Sequence, residues 1–144
     1  MSTHYCLGFM FSPDFNHVVL IEKNKPEWMA GHLNGVGGKV EAGESSVEAM
    51  VREFREEAAL ETTPERWIRV CALHEPGVTV DVFACVNAHY GKAEPRTAEP
   101  LVTLDPYYVG LRKAMPNLRW LVPMSIWALK KPYHSTIDMI GGLS

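Results

Sequence analysis

The stretch 37–60, GGKVEAGESSVEAMVREFREEAAL, restricts what this chain can fold into more than any other. Its polar loop runs into Ser45-Ser46-Val47-Glu48, the S-x-x-E spacing in which a serine oxygen and a glutamate satisfy the open backbone donors of a helix start. The spacing predicts a helix from about Ser46 to Ala58. Its apolar residues Val47, Met50, Val51, Phe54 and Ala58 recur at i, i+3, i+4, i+7 and i+11, which at about 100° per residue is one narrow stripe facing a core.

On the same wheel Glu53, Glu56 and Glu57 share one flank, because positions three and four apart are neighbours on a helix surface. Glu48 and Arg55 fall on the opposite flank. Arg52 is four residues from both Glu48 and Glu56, so it can orient a carboxylate but cannot neutralise the cluster. One reading is a solvated acidic face, since like-charge pairs cost only a few tenths of a kcal/mol each. The other is a cation site: Mg2+ uses one or two carboxylates and keeps waters and substrate phosphates in its remaining positions. Gly35, Gly37, Gly38 and Gly43 in the preceding loop either form tight turns or let the backbone approach a ligand and offer it carbonyls or amides.

The rest of the chain supplies the frame. At 144 residues it is expected to form one domain, burying roughly two thirds of its unfolded surface. HYCLGFMF (4–11) and HVVLIEK (17–23), joined by the turn SPDFN, predict a hairpin, and RWIRVCALHE (66–75) and VTVDVFACV (78–86) predict two more strands. PLVTL (100–104) and LRWLV (118–122) predict short strands, and PMSIWALKK (123–131) a helix opened by Pro123. Interleaved strands and helices imply an α/β layered fold around a mixed sheet. With a net charge of −3 and no long basic stripe, the chain has no footprint for duplex nucleic acid. No apolar run reaches a membrane span, and no leader pattern opens the chain, so a cytoplasmic location is expected. Cys6, Cys71 and Cys85 lie in apolar runs and are expected to be reduced core thiols. Trp28, Trp67, Trp120 and Trp127 are expected mostly in the core or its shell, with base stacking open to one of them. The six histidines, His134 among them, have no metal-ligand spacing and read as ordinary surface or structural residues.

Loop and helix together match G-x5-E-x7-R-E-U-x-E-E-x-G-U, where U is a bulky apolar residue, and this resembles the Nudix box. Gly38, Glu44, Arg52, Glu53, Phe54, Glu56, Glu57 and Leu60 are in register, while Ala59 stands where the family has a glycine that relieves left-handed strain. The hairpin, NGVGGKVE and LRWLVPM extend the likeness to MutT-type Nudix hydrolases. The resemblance implies an α/β/α sandwich around a mixed β-sheet, one Nudix domain over residues 1–144, and cleavage of a nucleoside diphosphate linked to another group.

The resemblance also implies roles. Glu53, Glu56, Glu57 and the Gly37 carbonyl would hold Mg2+, for which Mn2+ can substitute, with Arg52 and Glu44 fixing the ligands. The general base lies either in the box or on a later loop, where Glu99 is the candidate and Glu94 a weaker one. Gly38, Lys39, Asn34 and Asn117 are expected to bind the substrate. An asparagine amide carries both donor and acceptor and can read the edge of a purine, including an oxidised one, though both asparagines also suit simple turns. Met115 stands where some members have a stacking tryptophan, and Leu118 where they have a second acid. The expected partner is a small nucleotide, with a nucleoside triphosphate yielding monophosphate and pyrophosphate. ADP-ribose, dinucleoside polyphosphates and capped RNA ends are alternatives, as is a module that senses a nucleotide without cleaving it. The retained carboxylates argue against that last reading. Oligomeric state is left open.

Overall fold

The computed structural model describes residues 2–131 and 135–138. Eight strands are β1 (Thr3–Phe11), β2 (Val18–Glu22), β3 (Leu33–Asn34), β4 (Val36–Lys39), β5 (Ile68–Glu75), β6 (Val78–Val86), β7 (Leu101–Leu104) and β8 (Ser135–Asp138), and two α-helices are α1 (Ser46–Ala58) and α2 (Leu118–Lys130). They form one sheet in the order β3-β2-β1-β6-β5-β8, with β4 pairing β1 and β7 pairing β2. The pairs β1/β6 and β5/β8 are parallel and the remainder antiparallel, so the sheet is mixed as the sequence predicts.

Strand periodicity divides the core between two layers. Side chains alternate across a pleated strand, and Cys6 and Met10 of β1, Val19 and Ile21 of β2, and Phe83 and Cys85 of β6 meet Ala49, Met50, Phe54 and Ala58 of α1. Their neighbours Leu7, Phe9, Phe11, Val18, Leu20, Val82 and Ala84 join Leu118, Leu121, Val122 and Ala128 of α2. Central strands buried on both faces therefore read as continuous apolar runs. With a helix layer on each face, the molecule is an α/β sandwich. The three cysteines are buried free thiols, and burial pushes the Cys6 thiol up to about 12. Among the described residues no helix is long and apolar enough to cross a membrane.

Three expectations need correction. LRWLV is not a strand: residues 118–122 are the first turns of α2, and Pro123 sits inside that helix rather than opening it. The buried set Leu118, Leu121, Val122, Ser125 and Ala128 follows helical spacing across the supposed boundary, which outweighs the one backbone bond that a proline removes. The tryptophans are not mostly interior, because Trp28 and Trp127 are 58% and 61% exposed. Finally, β3, β4 and β8 were not foreseen. The first has two residues and the second, VGGK, has little strand preference, yet its pairing with β1 holds it. His134 lies outside the described residues.

Candidate active site

The capping box forms as expected. The Glu48 N–H donates to Ser45 Oγ at 3.2 Å, and the Ser45 N–H donates to Glu48 Oε1 at 2.8 Å. Glu48 is thereby committed to the cap, and Arg52 turns to the other flank. At the far end Ala59 adopts φ 58°, ψ 26°, the left-handed conformation for which glycine is the usual choice, and its N–H donates to the Arg55 carbonyl. The left-handed cap is thus held by an alanine, which lacks the conformational freedom of glycine.

Arg52 fastens the loop to the helix. Its Nε and Nη2 grip Glu44 at 3.1 and 2.7 Å, and Nη1 donates to Glu53 Oε1 at 2.9 Å and to Glu56 Oε2 at 3.2 Å. Nη2 also reaches the Lys39 carbonyl at 3.0 Å. The two-pronged contact with Glu44 is the strong, directional kind; it holds the Glu44 carboxyl below the usual range and keeps Arg52 firmly charged. Glu44 Oε1 also accepts from the Glu41 N–H at 2.9 Å. One guanidinium thus sets the rotamers of Glu53 and Glu56 but supplies only one positive charge, and the flank keeps its excess of negative charge.

The glycines of β4 make the approach possible. In the β1–β4 register Leu7 faces Gly37 and Cys6 faces Gly38. A Cβ on Gly37 would lie 2.0 Å from the Cys6 carbonyl oxygen, and one on Gly38 would lie 2.4 Å from Glu53 Oε1. The Glu53 carboxylate therefore occupies the space a side chain at residue 38 would fill.

Burial raises the pKa of both Glu53 and Glu57, with Arg52 opposing the shift at Glu53. Glu57 rises to about 7 despite the nearby Lys23 charge. Its Oε2 is buried and has no hydrogen-bond partner among the described residues, which leaves the desolvation cost of that oxygen uncompensated by them. A hard divalent cation is the chemical group that this donor set fits. Glu53, Glu56, Glu57 and the Gly37 carbonyl are the residues that could hold it. Among the described residues no group of three His, Cys, Asp or Glu side chains is drawn close enough together to hold a metal ion by itself.

Glu99, the base candidate on the later loop, stands just before β7. It is buried; Oε1 accepts from Lys23 Nζ at 3.1 Å, and Oε2 accepts from the N–H groups of Asn24 at 2.6 Å and Lys25 at 3.3 Å. Burial pushes its pKa up, but the Asn24 and Lys23 donors outweigh it and the carboxyl ends below the usual range. Glu94 is exposed, and its N–H donates to the Ala58 carbonyl at the end of α1.

Beside the glycines lies a cavity of about 610 Å³, whose wall includes Lys23, Trp28, Asn34, Gly37, Gly38 and Asn117, with Tyr5, Met29, Leu73, Val80 and Met115 supplying apolar surface. The structure thus gathers Asn34, Asn117, Gly37 and Gly38 on one cavity. Lys39 is exposed and does not line it; its carbonyl, held by Arg52, ties it to the site. Asn34 Oδ1 accepts locally from the Gly35 N–H at 2.9 Å. Asn117 is buried at the start of α2, where its backbone carbonyl accepts from Leu121 at 2.9 Å. Lys23, Tyr5 and Met29 escaped the sequence reading. Lys23 meets Glu99 across 76 residues, which no local spacing reveals.

Comparison with known proteins agrees with this geometry. The family model described as NUDIX domain matches residues 6–100. Among solved structures, MutT from Aliivibrio salmonicida and Vibrio cholerae has TM-score 0.69 at 21% identity, covering 86% of this chain and 96% of that one. The NUDIX domain of Shewanella oneidensis NrtR complexed with ADP ribose has TM-score 0.75 at 14% identity, covering 90% and 89%. An ADP-ribose pyrophosphatase from Streptococcus suis has TM-score 0.68 at 17% identity, covering 96% and 100%. At such identities these likenesses carry the fold. No curated protein sequence matches the chain. The family match spans most of the chain and takes in the glycine loop, the capping box and every carboxylate of α1: the chain belongs to the NUDIX domain family and is a Nudix hydrolase.

Proposed function

We propose that the protein hydrolyses a nucleoside triphosphate, or another nucleoside diphosphate derivative, at a pyrophosphate bond in the presence of Mg2+, for which Mn2+ can substitute. The observation that carries this reading is the Glu53, Glu56, Glu57 flank, with its buried Glu57 Oε2, which has no donor among the described residues. When bound, the metal supplies charge neutralisation for the polyphosphate, polarisation of a phosphoryl oxygen and a more acidic water. Arg52 holds Glu53 and Glu56 in their rotamers, and Glu44 holds Arg52.

Water attacks one phosphorus of the anhydride, its proton passes to a carboxylate, and the bridging oxygen leaves with the electron pair of the broken P–O bond. The base is a carboxylate of the box or the buried Glu99. Both oxygens of Glu99 already accept from donors. The cavity takes the nucleoside, with Asn34 and Asn117 facing the base edge, a purine being the best match for their paired donors and acceptors. Oxidised purine nucleotides are the variant to include first.

ADP ribose is the second reading, favoured by two solved neighbours, one complexed with it and one named as its pyrophosphatase. A purely sensing module is disfavoured, because such a module has no need of all the box carboxylates. A screen of nucleoside triphosphates, ADP-ribose and dinucleoside polyphosphates with Mg2+, with products identified, separates these readings. Monophosphate plus pyrophosphate is the expected outcome; no cleavage of any nucleotide, or undiminished cleavage under excess chelator, would overturn the assignment.

A further inference from the structure

Helix α2 turns an apolar side to solvent. Its inward set is Leu118, Leu121, Val122, Ser125 and Ala128, yet Trp120, Pro123, Met124 and Trp127 recur at i, i+3, i+4 and i+7 on the opposite side. A surface helix ordinarily carries charged and polar residues there. Among the described residues six large apolar side chains are exposed. Tyr5 and Trp28 line the cavity of the candidate active site; the other four, Tyr107, Tyr108, Leu111 and Trp127, belong to α2 and to the 3-10 helix Pro106–Leu111 that packs against it. Tyr107 is 83% exposed and Leu111 78%.

The two elements share one surface. A Cβ on Gly110 would lie 3.8 Å from Arg119 Cγ, and Tyr107, Arg119, Pro123, Ile126 and Lys130 line a second cavity of about 560 Å³. Residues 106–131 hold five basic residues, Arg112, Lys113, Arg119, Lys130 and Lys131, and no Asp or Glu, whereas all 17 acidic residues of the chain lie elsewhere. All five are exposed. Among the described residues none of the five forms an ion pair; the Lys130 ammonium lies 4.9 Å from the centre of the Phe15 ring. Asp14 and Asp105 border the same cavity, but their carboxylates are engaged in their own turns. Asp14 accepts from Ser12 Oγ at 2.7 Å, and Asp105 from the Tyr107 N–H at 2.9 Å.

We propose that this face docks on an anionic lipid surface: Tyr107, Leu111 and Trp127 enter the headgroup layer, while Arg119, Lys130 and Lys131 meet the anionic headgroups. Cations interspersed with Trp, Tyr and Leu, with no acid among them, are the composition of an interfacial membrane contact. Tyr108, Leu111 and Trp127 line neither cavity. Side chains that protrude suit a fluid partner that closes around them, whereas a docked peptide needs a groove. Leu111 gives a base nothing to stack on, which sets a single-stranded nucleic acid aside. The acidic flank of α1 belongs to the helix layer on the other face of the sheet. With charges screened over about 8 Å in physiological salt, it does not oppose the docking, and its glutamates stay open to water and substrate.

The test uses the full chain and large unilamellar vesicles, either of phosphatidylcholine alone or of phosphatidylcholine and phosphatidylglycerol in equal parts, with bound protein measured by sedimentation. The variants are Lys130→Gln/Lys131→Gln, Leu111→Ser and Trp127→Phe, all at exposed positions outside the candidate active site and checked by circular dichroism. The parent is expected to bind the phosphatidylglycerol vesicles saturably, with a blue shift of tryptophan emission, and the phosphatidylcholine vesicles at least about tenfold more weakly. Each cation removed should weaken binding about fivefold, the effect of one Lys or Arg at an anionic surface. Leu111→Ser should weaken it at least about threefold through lost apolar burial, and Trp127→Phe should keep the binding but lose the shift. Absence of binding to the phosphatidylglycerol vesicles would overturn the proposal, as would binding that either Leu111→Ser or the double lysine variant leaves unchanged. A parent that sedimentation velocity shows to be a dimer, made monomeric by Leu111→Ser, would assign the face to a second copy of the chain and overturn it too.

Discussion

Gly38→Ala separates fold from function within one residue. The added Cβ would lie 2.4 Å from Glu53 Oε1 and 2.6 Å from its Cδ. To regain ordinary contact near 3.4 Å the carboxylate must retreat by about 1 Å, which breaks its 2.9 Å bond from Arg52 Nη1. A lost hydrogen bond to a charged group costs about 1.5–3 kcal/mol, and the smaller freedom of alanine in the unfolded chain returns about 0.4–1 kcal/mol. The net is roughly 1–2 kcal/mol, or a melting temperature lower by about 3–6 °C for a chain of this size. Rate and metal affinity should suffer far more, since about 1 Å of misplacement at a ligand costs on the order of a hundredfold. Gly37→Ala is the contrast: its Cβ would meet the Cys6 carbonyl at 2.0 Å and the Leu7 Cα at 2.9 Å. Backbone cannot step aside as a carboxylate can, so that variant should lose roughly 4 kcal/mol or more. Thermal melts by circular dichroism and turnover with Mg2+ measure both. A Gly38→Ala protein with native turnover would refute the claim that the absence of a side chain at residue 38 is what seats Glu53.

Ala59→Gly should stabilise the protein by about 1 kcal/mol, because it relieves an alanine held at positive φ; an unchanged or lower melting temperature would show that the end of α1 is not strained. Glu57 makes metal-free stability fall as pH rises. Its folded pKa of about 7 lies above the ordinary 4.5, so the folded state binds the proton more tightly, and that contribution is complete below about 4.5 and lost as pH passes through about 7. After discounting for the partial exposure of the carboxylate, the loss is on the order of 1 kcal/mol. Glu57→Gln should flatten this slope in urea melts from pH 5 to 8, and a parent-like slope in the variant would assign it to another group.

What the sequence discloses about this molecule is what is local. The ends of α1 follow from Ser45, Glu48 and the apolar stripe, all within fourteen residues, and the hairpin follows from alternation and turn residues. The α2 boundary was hidden because Pro123 mimics a helix start, whereas the packing of Leu118, Leu121 and Val122 against the sheet decides it. The carboxylate flank was legible for the same reason as the cap: neighbours on a helix are fixed by spacing. The place of Lys23, Tyr5 and Met29 on the cavity was not, since they meet only through the strand order. The protonation behaviour of Glu57 and Glu99 was equally hidden. Glu57 lies in α1 and Glu99 in the loop before β7; burial raises both, and only Glu99 has the Lys23, Asn24 and Lys25 donors that bring it back below the usual range.

The central claim is that the glutamate flank of α1 holds the divalent cation on which hydrolysis depends. Titration of the protein with Mn2+, followed by the loss of the free-ion electron paramagnetic resonance signal, tests it without reference to any substrate. The parent is expected to bind saturably, and Glu56→Gln and Glu57→Gln, with unchanged circular dichroism, to bind at least about tenfold more weakly. Variants that bind Mn2+ as tightly as the parent would contradict the account.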